Sequence, residues 1–323
     1  MTGAPLLLVH LGDHGVAVYA RGMADAIRDV TEAHTVDAAG LARLPAGTDV
    51  HAHFTDRLWG ASPEQASRTF AELASRLRVS VTLHDVPQAS DGELNRPRRR
   101  AAYARVAAAA SAVVVNSEHE RELLREEDVW SGAAEVIPLP VELEKDAGRE
   151  RPDGSVGVLG FFYPGKGHDE AADAAAAAGI GALTVLGRAS DGHAAELEAF
   201  VRRSAAIGVE VDVTGWLDDA EIARRGRAVS VPVIAHRHIS ASGSLASWIG
   251  WGRRPVAVRN RYVDEMAALR PGTLTPVGES DLVGALRHAR ANPDATWHGL
   301  TRLPLSRAEA AQAYVRLWAG RAS

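Results

Sequence analysis

The chain contains no cysteine, and its 36 basic residues include only two lysines, Lys145 and Lys166. The absence of cysteine excludes disulfide bonds and thiolate chemistry, and it fits a reducing compartment. No apolar run approaches the roughly 20 residues that are needed to span a bilayer. The apolar start at residues 1–9 has no basic leader and predicts a first strand. We therefore expect a soluble protein of the cytoplasm.

Neither sign of charge dominates the composition. The 36 basic and 41 acidic side chains give a net charge of −5, so nucleic acid and anionic membranes are not expected as the main partner. Hydrophobic residues make up 46% of the 323 residues. That content excludes the disordered class, and the length allows two domains that each bury a core.

Short apolar runs alternate with longer helical patterns along nearly the whole chain. This alternation is typical of βα units that build a parallel sheet. It predicts the α/β class, with two Rossmann-like doubly wound domains that face a cleft. A charged stretch with glycine and proline, 142–154, is the predicted linker. We expect domains at 1–148 and 149–306, and a closing helix in 307–323 that packs back on the first domain.

Each half carries six predicted strands and several predicted helices. The strands are 6–10, 35–37, 49–54, 80–83, 112–115 and 135–138, then 155–160, 183–186, 210–214, 228–234, 255–258 and 273–275. The helices are 17–28, 63–77, 96–110 and 118–126, then helices from near residues 169, 194, 220, 243, 262 and 281, and finally Arg307–Ala319.

The clearest candidate site is the sequence GFFYPGKG at 160–167, between a predicted strand and a predicted helix. Glycines permit close backbone approach, a helix start offers free amides, and Lys166 adds a positive charge, which together suit a phosphate. The spacing also satisfies most of the P-loop pattern, but Gly167 stands where that pattern needs a Ser or Thr hydroxyl for magnesium. An ordinary βα turn with a solvated lysine is the other interpretation.

A second candidate site is the sequence SASGS at 240–244, which precedes another predicted helix. Backbone amides and hydroxyl groups at a helix start can bind a diphosphate. Serines are also common N-caps wherever helices begin. This segment is a stronger candidate for a binding site because Lys166 also follows the carboxyl end of a strand in the same predicted sheet.

Histidines and arginines supply the remaining candidates. His84 follows a predicted strand and His53 lies near the end of another, and both could bind a sugar hydroxyl or a departing phosphate, whereas His10 and His51 are more simply structural. The pair His236 and His238 lacks the companion ligands of a metal site. The row Arg96, Arg98, Arg99 and Arg100 suits either an anionic acceptor or, more simply, a solvated helix face.

In its candidate site segments and in their order along the sequence, the chain resembles family 4 of the retaining glycosyltransferases, which have the GT-B fold. The resemblance covers nearly the whole chain and is carried by LGDHGV at 11–16, TLHD at 82–85, VVVNS at 113–117, VIPLPV at 136–141, GFFYPGKG at 160–167, VTGWL at 213–217, GRRPVA at 252–257 and the closing helix. It implies a nucleoside diphosphate sugar as donor substrate, a hydroxyl-bearing small molecule or glycan as acceptor, and no further cofactor or metal.

The resemblance also assigns roles to individual residues. The predicted catalytic residues are His84, Lys166 and Ser240. The predicted nucleotide-sugar-binding residues are Gly15, Gly165, Lys166, Arg188, Gly215, Trp216, Ser242, Gly243 and Ser244.

The sequence departs from the family at three positions. Phe161 stands in place of the family's phosphate-binding arginine, and Ser240 and Trp248 stand in place of its paired glutamates. A nucleotide-sugar epimerase of the same fold, a non-catalytic nucleotide-sugar-binding protein and a P-loop NTPase therefore remain as alternatives.

Overall fold

The computed structural model describes residues 4–144, 148–236 and 239–320. Within these ranges the chain forms two compact units, Met1–Pro140 with Leu305–Ser323, and Val141–Pro304. Each unit contains one six-stranded sheet in which all the neighbouring strands are parallel. The predicted α/β class with two Rossmann-like domains is confirmed. None of the helices in the described residues is long and apolar enough to cross a membrane.

The first unit has the strand order β2-β1-β3-β4-β5-β6. Its strands are β1 (Leu6–Leu8), β2 (Thr35–Val36), β3 (Asp49–Phe54), β4 (Arg78–Leu83), β5 (Ala112–Val115) and β6 (Ala134–Val136). Its helices are α1 (Gly15–Val30), α2 (Ala38–Leu41), α3 (Asp56–Trp59), α4 (Pro63–Arg76), α5 (Gly92–Ala109), α6 (Glu118–Glu126) and, at the end of the chain, α13 (Arg307–Ala319).

The second unit has the strand order β12-β11-β10-β7-β8-β9. Its strands are β7 (Val156–Leu159), β8 (Ala182–Leu186), β9 (Glu210–Val213), β10 (Val231–Ile234), β11 (Val256–Val258) and β12 (Thr275–Val277). Its helices are α7 (His168–Ala178), α8 (Ala194–Ala206), α9 (Asp219–Ala228), α10 (Gly243–Gly250), α11 (Arg261–Leu269) and α12 (Leu282–Ala291).

The central strands are apolar without alternation because helices cover both faces of each sheet. All four residues of β5, β7 and β10 are buried. Helix starts follow local capping signals: the Ser117 hydroxyl accepts from the Glu120 amide, and the Ser306 hydroxyl accepts from the Glu309 amide. These signals explain why α6 and α13 begin at the predicted residues.

Helix α13 packs on the first unit, as predicted for the closing helix. Tyr314 is fully buried, and its hydroxyl lies 2.9 Å from the hydroxyl of Thr82 on β4. Ala310 and Ala311 are fully buried in the same cluster as Met23 and Ile27 of α1. The helix therefore completes the core on one face of the first sheet.

Several predicted bounds were wrong. Helix α5 begins four residues before the predicted start at 96, and residues 228–230 do not belong to β10, because α9 continues through Ala228. The last strand is Thr275–Val277 rather than 273–275. It contains Pro276 and lies at the edge of the sheet, where a missing N–H group is tolerated.

The strand orders create a topological switch point in each sheet. In the second sheet β7 and β10 are neighbours, and the chain proceeds outward from them in opposite directions. In the first sheet the corresponding neighbours are β1 and β3. Open parallel sheets bind ligands outside the carboxyl ends of the strands at such points. Ligands are therefore expected at the loops after β7 and β10, and at those after β1 and β3.

Candidate functional site

The loops after β7 and β10 touch each other through Gly167, the residue before α7. Gly167 has a φ of +90°, and a Cβ atom there would lie 2.4 Å from the carbonyl carbon and oxygen of Ala235. Only glycine fits this contact without displacing backbone. The contact brings the start of α7 against the carboxyl end of β10.

The side chain of Lys166, in the loop after β7, reaches the residues that follow β10. Its ammonium nitrogen lies 3.5 Å from the Ser244 hydroxyl oxygen and 5.8 Å from the centre of the Tyr163 ring. It is also 3.5 Å from the position that a Cβ atom of Gly160 would occupy. The lysine therefore lies at the end of β7 and faces the start of α10. The structure thus brings together the predicted residues Lys166 and Ser244.

At the start of α10, some polar groups stabilise the helix and others remain available to a ligand. The Ser242 hydroxyl caps the helix by accepting from the Leu245 amide at 3.1 Å, and the Ser242 amide donates to the Tyr262 hydroxyl at 3.0 Å. By contrast, the amides of Gly243 and Ser244 have no acceptor among the described residues, as is usual for the first helical residues. These two amides are available to an anion.

Ser240 is buried, with 7% of its surface exposed, at the carboxyl end of β10. The position that the resemblance assigns to the second glutamate, Trp248, is fully buried beneath α9, where a Cβ atom of Gly226 would contact its ring. Because Trp248 belongs to the core, that position offers no contact to a ligand.

Two buried histidines surround Lys166, and sequence reasoning did not select His168. Burial and the nearby Lys166 charge lower the pKa of His168 to about 3, and they also lower the pKa of His236 well below its usual value. Neither ring nitrogen of His168 has a hydrogen-bond partner within the described part of the chain. Its ring instead packs 4.8 Å from the ring of Phe162. Both histidines are therefore neutral and add no charge beside Lys166.

The sequence pattern argues against a metal site at His236 and His238. His238 lies outside the described residues. Among those that are described, no cluster of three or more potential metal-ligating side chains occurs.

The strands beside β7 contribute the other predicted residues of the second unit. Arg188 follows β8, and its guanidinium carbon lies 5.0 Å from the centre of the Phe161 ring. Gly215 follows β9 with a φ of +69°, and the Trp216 side chain next to it is 64% exposed. Gly165 lies in the loop after β7 with a φ of +88° and open space beside it. All these residues follow the carboxyl ends of strands in one parallel sheet.

The candidates His84 and Gly15 belong to the first unit. Gly15 opens α1, where the Nδ1 atom of His14 accepts from the Val16 amide at 3.2 Å. His84 follows β4, and its Nε2 atom lies 3.0 Å from the Nδ1 atom of His53 in a hydrogen bond. Burial, together with nearby His51 and His14, lowers the pKa of His84 to about 3.

A polar network fixes the segment that carries His84. The Tyr103 hydroxyl donates to the His84 carbonyl at 2.7 Å, and Arg99 donates to the Asp85 carbonyl at 2.7 Å. Asp85 has a φ of +54°, an uncommon conformation for a residue with a side chain. His84 therefore leaves β4 on a turn that is held by α5.

The arginines of the row on α5 are each paired with a carboxylate of the first unit, and the side chains of Arg96, Arg98 and Arg100 are partly exposed, as expected of a solvated helix face. Arg99 is largely buried and contacts Asp56 and Asp91. The other pairs are Arg96 with Glu127, Arg98 with Glu64 and Arg100 with Asp128.

Comparisons with known proteins identify the fold. No family model matches the chain, and no curated protein sequence matches it. Sucrose-phosphate synthase from Thermosynechococcus elongatus has a similar structure, with 16% identity, a TM-score of 0.67, and 99% of this chain and 94% of that chain covered. The Anabaena HepE protein, solved in complex with UDP and glucose, has 15% identity and a TM-score of 0.70, with 99% of both chains covered.

A UDP-forming α,α-trehalose-phosphate synthase from Burkholderia vietnamiensis is also similar, with 14% identity and a TM-score of 0.58. The match covers 95% of this chain and 77% of that chain. At these identities the similarity establishes the shared two-domain Rossmann-like fold.

Proposed function

We propose that the protein is a glycosyltransferase that transfers a sugar from a nucleoside diphosphate donor to a hydroxyl group of an acceptor. The observation that carries this proposal is the convergence of Lys166 and the open amides of Gly243 and Ser244 at one switch point. A charged amine and two amide donors suit a diphosphate. The structurally similar HepE protein was solved with UDP and with UDP-glucose, which supports a nucleotide-sugar donor.

In this mechanism the second domain stabilises the leaving group. Negative charge grows on the diphosphate as the bond to the sugar breaks, and Lys166 with the two amides offsets that charge. Such stabilisation accelerates the reaction because it is strongest in the transition state. Since protein donors supply it, we infer that no metal cofactor is required, and that chelation of divalent ions with EDTA leaves turnover unchanged.

The sugar and the acceptor would be oriented by neutral side chains. Ser240 and Ser242 offer hydroxyl groups near the diphosphate, and His84 offers a neutral imidazole from the first domain. The family resemblance implies retention of configuration, with the acceptor attacking on the face of the departing phosphate. Gly15 would approach the donor from the first domain, and Gly215 with Trp216 would contact the base. We assign donor binding to the second unit, Val141–Pro304, and acceptor binding to the first unit, with the cytoplasm as the compartment.

Replacement of Lys166 by alanine tests this proposal. The loss of one charge-assisted contact is expected to weaken diphosphate binding by about 1.5–3 kcal/mol, roughly 10- to 100-fold in Kd. A thermal-shift screen with UDP, GDP and ADP identifies the nucleotide, because a ligand that binds the folded state raises Tm. Calorimetric titration of the wild type and of Lys166→Ala then gives the two values of Kd.

Arg224→Ala is the matched control, because Arg224 is an exposed cation of the same unit that is paired with Glu221. Its Kd should equal that of the wild type. Product analysis by mass spectrometry with UDP-glucose and a panel of hydroxyl-bearing acceptors then tests transfer. Equal binding by the wild type and Lys166→Ala would contradict the site, and binding without transfer to any acceptor would contradict the activity.

A non-catalytic nucleotide-sugar-binding protein is the second candidate. It is favoured by the absence of any carboxylate from 235 to 248 in the sequence, where the resemblance places two glutamates. This candidate predicts saturable UDP-glucose binding that depends on Lys166, with neither hydrolysis nor transfer.

A further inference from the structure

Arg188 and Phe161 form a pair across the ends of β7 and β8. The Phe162 amide donates to the Arg188 carbonyl at 2.8 Å, and the Ser190 amide donates to the Phe162 carbonyl at 3.0 Å. These bonds continue the parallel ladder beyond both strands. Phe162 is buried in the core, whereas Phe161 is 37% exposed, and the guanidinium of Arg188 lies over the Phe161 ring. The pair therefore occupies the outward face at the end of the sheet.

The guanidinium of Arg188 is only weakly engaged by oxygen atoms. Among the residues that the structure describes, its oxygen contacts are the Asp191 carboxylate and the Ala189 carbonyl, at 3.5 and 3.4 Å, and the Asp191 side chain is 97% exposed. Arg224 of the same unit, by contrast, contacts Glu221 through two bonds of 2.7 and 2.6 Å. A guanidinium has five N–H donors, and stacking on a ring orients it without neutralising its charge. Most of the donors of Arg188 are therefore available to an anion.

The backbone brings the strand position of Arg188 close to Lys166. A Cβ atom on Gly187 would lie 2.4 Å from the Gly160 carbonyl oxygen, and a Cβ atom on Gly160 would lie 3.5 Å from the Lys166 ammonium. The strand ends thus meet without an intervening side chain. Arg188 directly follows one of these glycines, and Phe161 directly follows the other.

We propose that Arg188 is a second cation for the donor diphosphate and that Phe161 is the residue that positions it. This inference rests on the proposed function and deepens it. A diphosphate presents oxygens on two phosphorus atoms, and a planar guanidinium can bind two of them at once, whereas a lysine acts as a point charge. The ring of Phe161 restricts the long arginine side chain, so less conformational freedom is lost on binding.

The test compares a nucleoside diphosphate with the monophosphate of the same base, starting with UDP and UMP. Arg188→Ala should raise the Kd for UDP about tenfold or more, and it should raise the Kd for UMP much less, because UMP lacks the terminal phosphate. Phe161→Leu keeps an apolar side chain but removes the ring. It should weaken UDP binding severalfold through Arg188, and it should have no effect when Arg188 is already alanine.

Arg202→Ala is the control, because Arg202 is an exposed arginine of the same unit on α8, and it should bind UDP as the wild type does. An unchanged Kd for UDP in Arg188→Ala would overturn the inference while leaving the proposed function intact. Equal losses for UDP and UMP would overturn the assignment of Arg188 to the diphosphate. Independent, additive losses from Phe161→Leu and Arg188→Ala would overturn the positioning role. If the wild type bound neither UDP, GDP nor ADP, the proposed function itself would fail.

Discussion

At the scale of single residues, Gly167 controls how closely the loops after β7 and β10 approach. We expect Gly167→Ala to lower the free energy of unfolding by roughly 2–5 kcal/mol, because the new methyl group would combine an unfavourable positive φ with a backbone clash against Ala235. Urea denaturation followed by tryptophan fluorescence measures this loss. The same change should weaken UDP binding, because relief of the clash moves Lys166 away from α10.

Gly165→Ala provides the matched control two residues earlier. Its φ of +88° is nearly the same, but a Cβ atom there would meet nothing within 4 Å. Only the backbone strain remains, about 1–2 kcal/mol. Equal stability losses in the two variants would show that the Ala235 contact has no energetic weight.

Residue roles could be predicted from the sequence where the signal is local. Lys166 was identifiable because a strand, glycines and a helix start adjoin it in the chain. Tyr262 was not, because its bond to the Ser242 amide joins residues 20 positions apart on different elements. The contact of Arg188 with Phe161 could not be predicted for the same reason, because it joins residues that are distant in the sequence. His168 follows Lys166 closely, but a histidine at a helix start gives no sign that its ring is buried.

At the scale of elements, helix α13 packs on the first sheet, and Tyr314 connects the two through its hydrogen bond to Thr82. We expect Tyr314→Phe to cost about 1 kcal/mol, because the hydrogen bond to Thr82 is lost while the buried ring is kept. Tyr314→Ala should cost about 3–5 kcal/mol, because it also empties a fully buried volume. Urea denaturation gives both values.

Gln312→Ala on the exposed face of α13 is the control and should change stability by less than about 0.5 kcal/mol. Hydrogen exchange can localise the effect. Faster exchange in α1 and β4 is expected for Tyr314→Ala, since both elements pack near this side chain. Unchanged exchange there would argue against α13 as part of the first core.

Elements with strong end signals were predictable, and those with weak signals were not. The bounds of β3, β5, α6 and α13 match their predictions because turn residues or caps mark both ends. The last strand was misplaced because Pro276 suggests a strand end, and only the sheet order reveals that β12 is an edge strand. Sheet order depends on pairing between distant segments, and no local pattern encodes it.

At the scale of the whole molecule, both units bury neutral histidines. Burial is the largest cause in each case, and nearby histidines or Lys166 lower the pKa values further. The pKa values of His84 and His168 fall to about 3, and those of three others fall well below 6.5. These three are His51, His53 and His236.

These shifts predict a steep loss of stability in mild acid. Well above pH 6.5 the five histidines are neutral in both the folded and the unfolded chain, so they add little pH dependence there. As the pH falls below 6.5, the histidines of the unfolded chain bind protons, whereas those of the folded chain do not. The free energy of unfolding therefore decreases. Each histidine contributes up to about 1.4 kcal/mol per pH unit until its folded pKa is reached. Urea denaturation between pH 7.5 and 5 measures the slope while most carboxylates stay ionised.

His168→Phe isolates one contribution to this slope. Both ring nitrogens of His168 lack partners among the described residues, and the ring packs against Phe162 and Phe200, so phenylalanine should fit without loss of a hydrogen bond. The variant should lose stability more slowly than the wild type below pH 6.5, by up to about 1.4 kcal/mol per pH unit. His34→Gln, at an exposed histidine, should retain the wild-type slope. An unchanged slope in His168→Phe would mean that His168 binds a proton equally well in the folded and the unfolded chain, which would place a second charge beside Lys166 in mild acid.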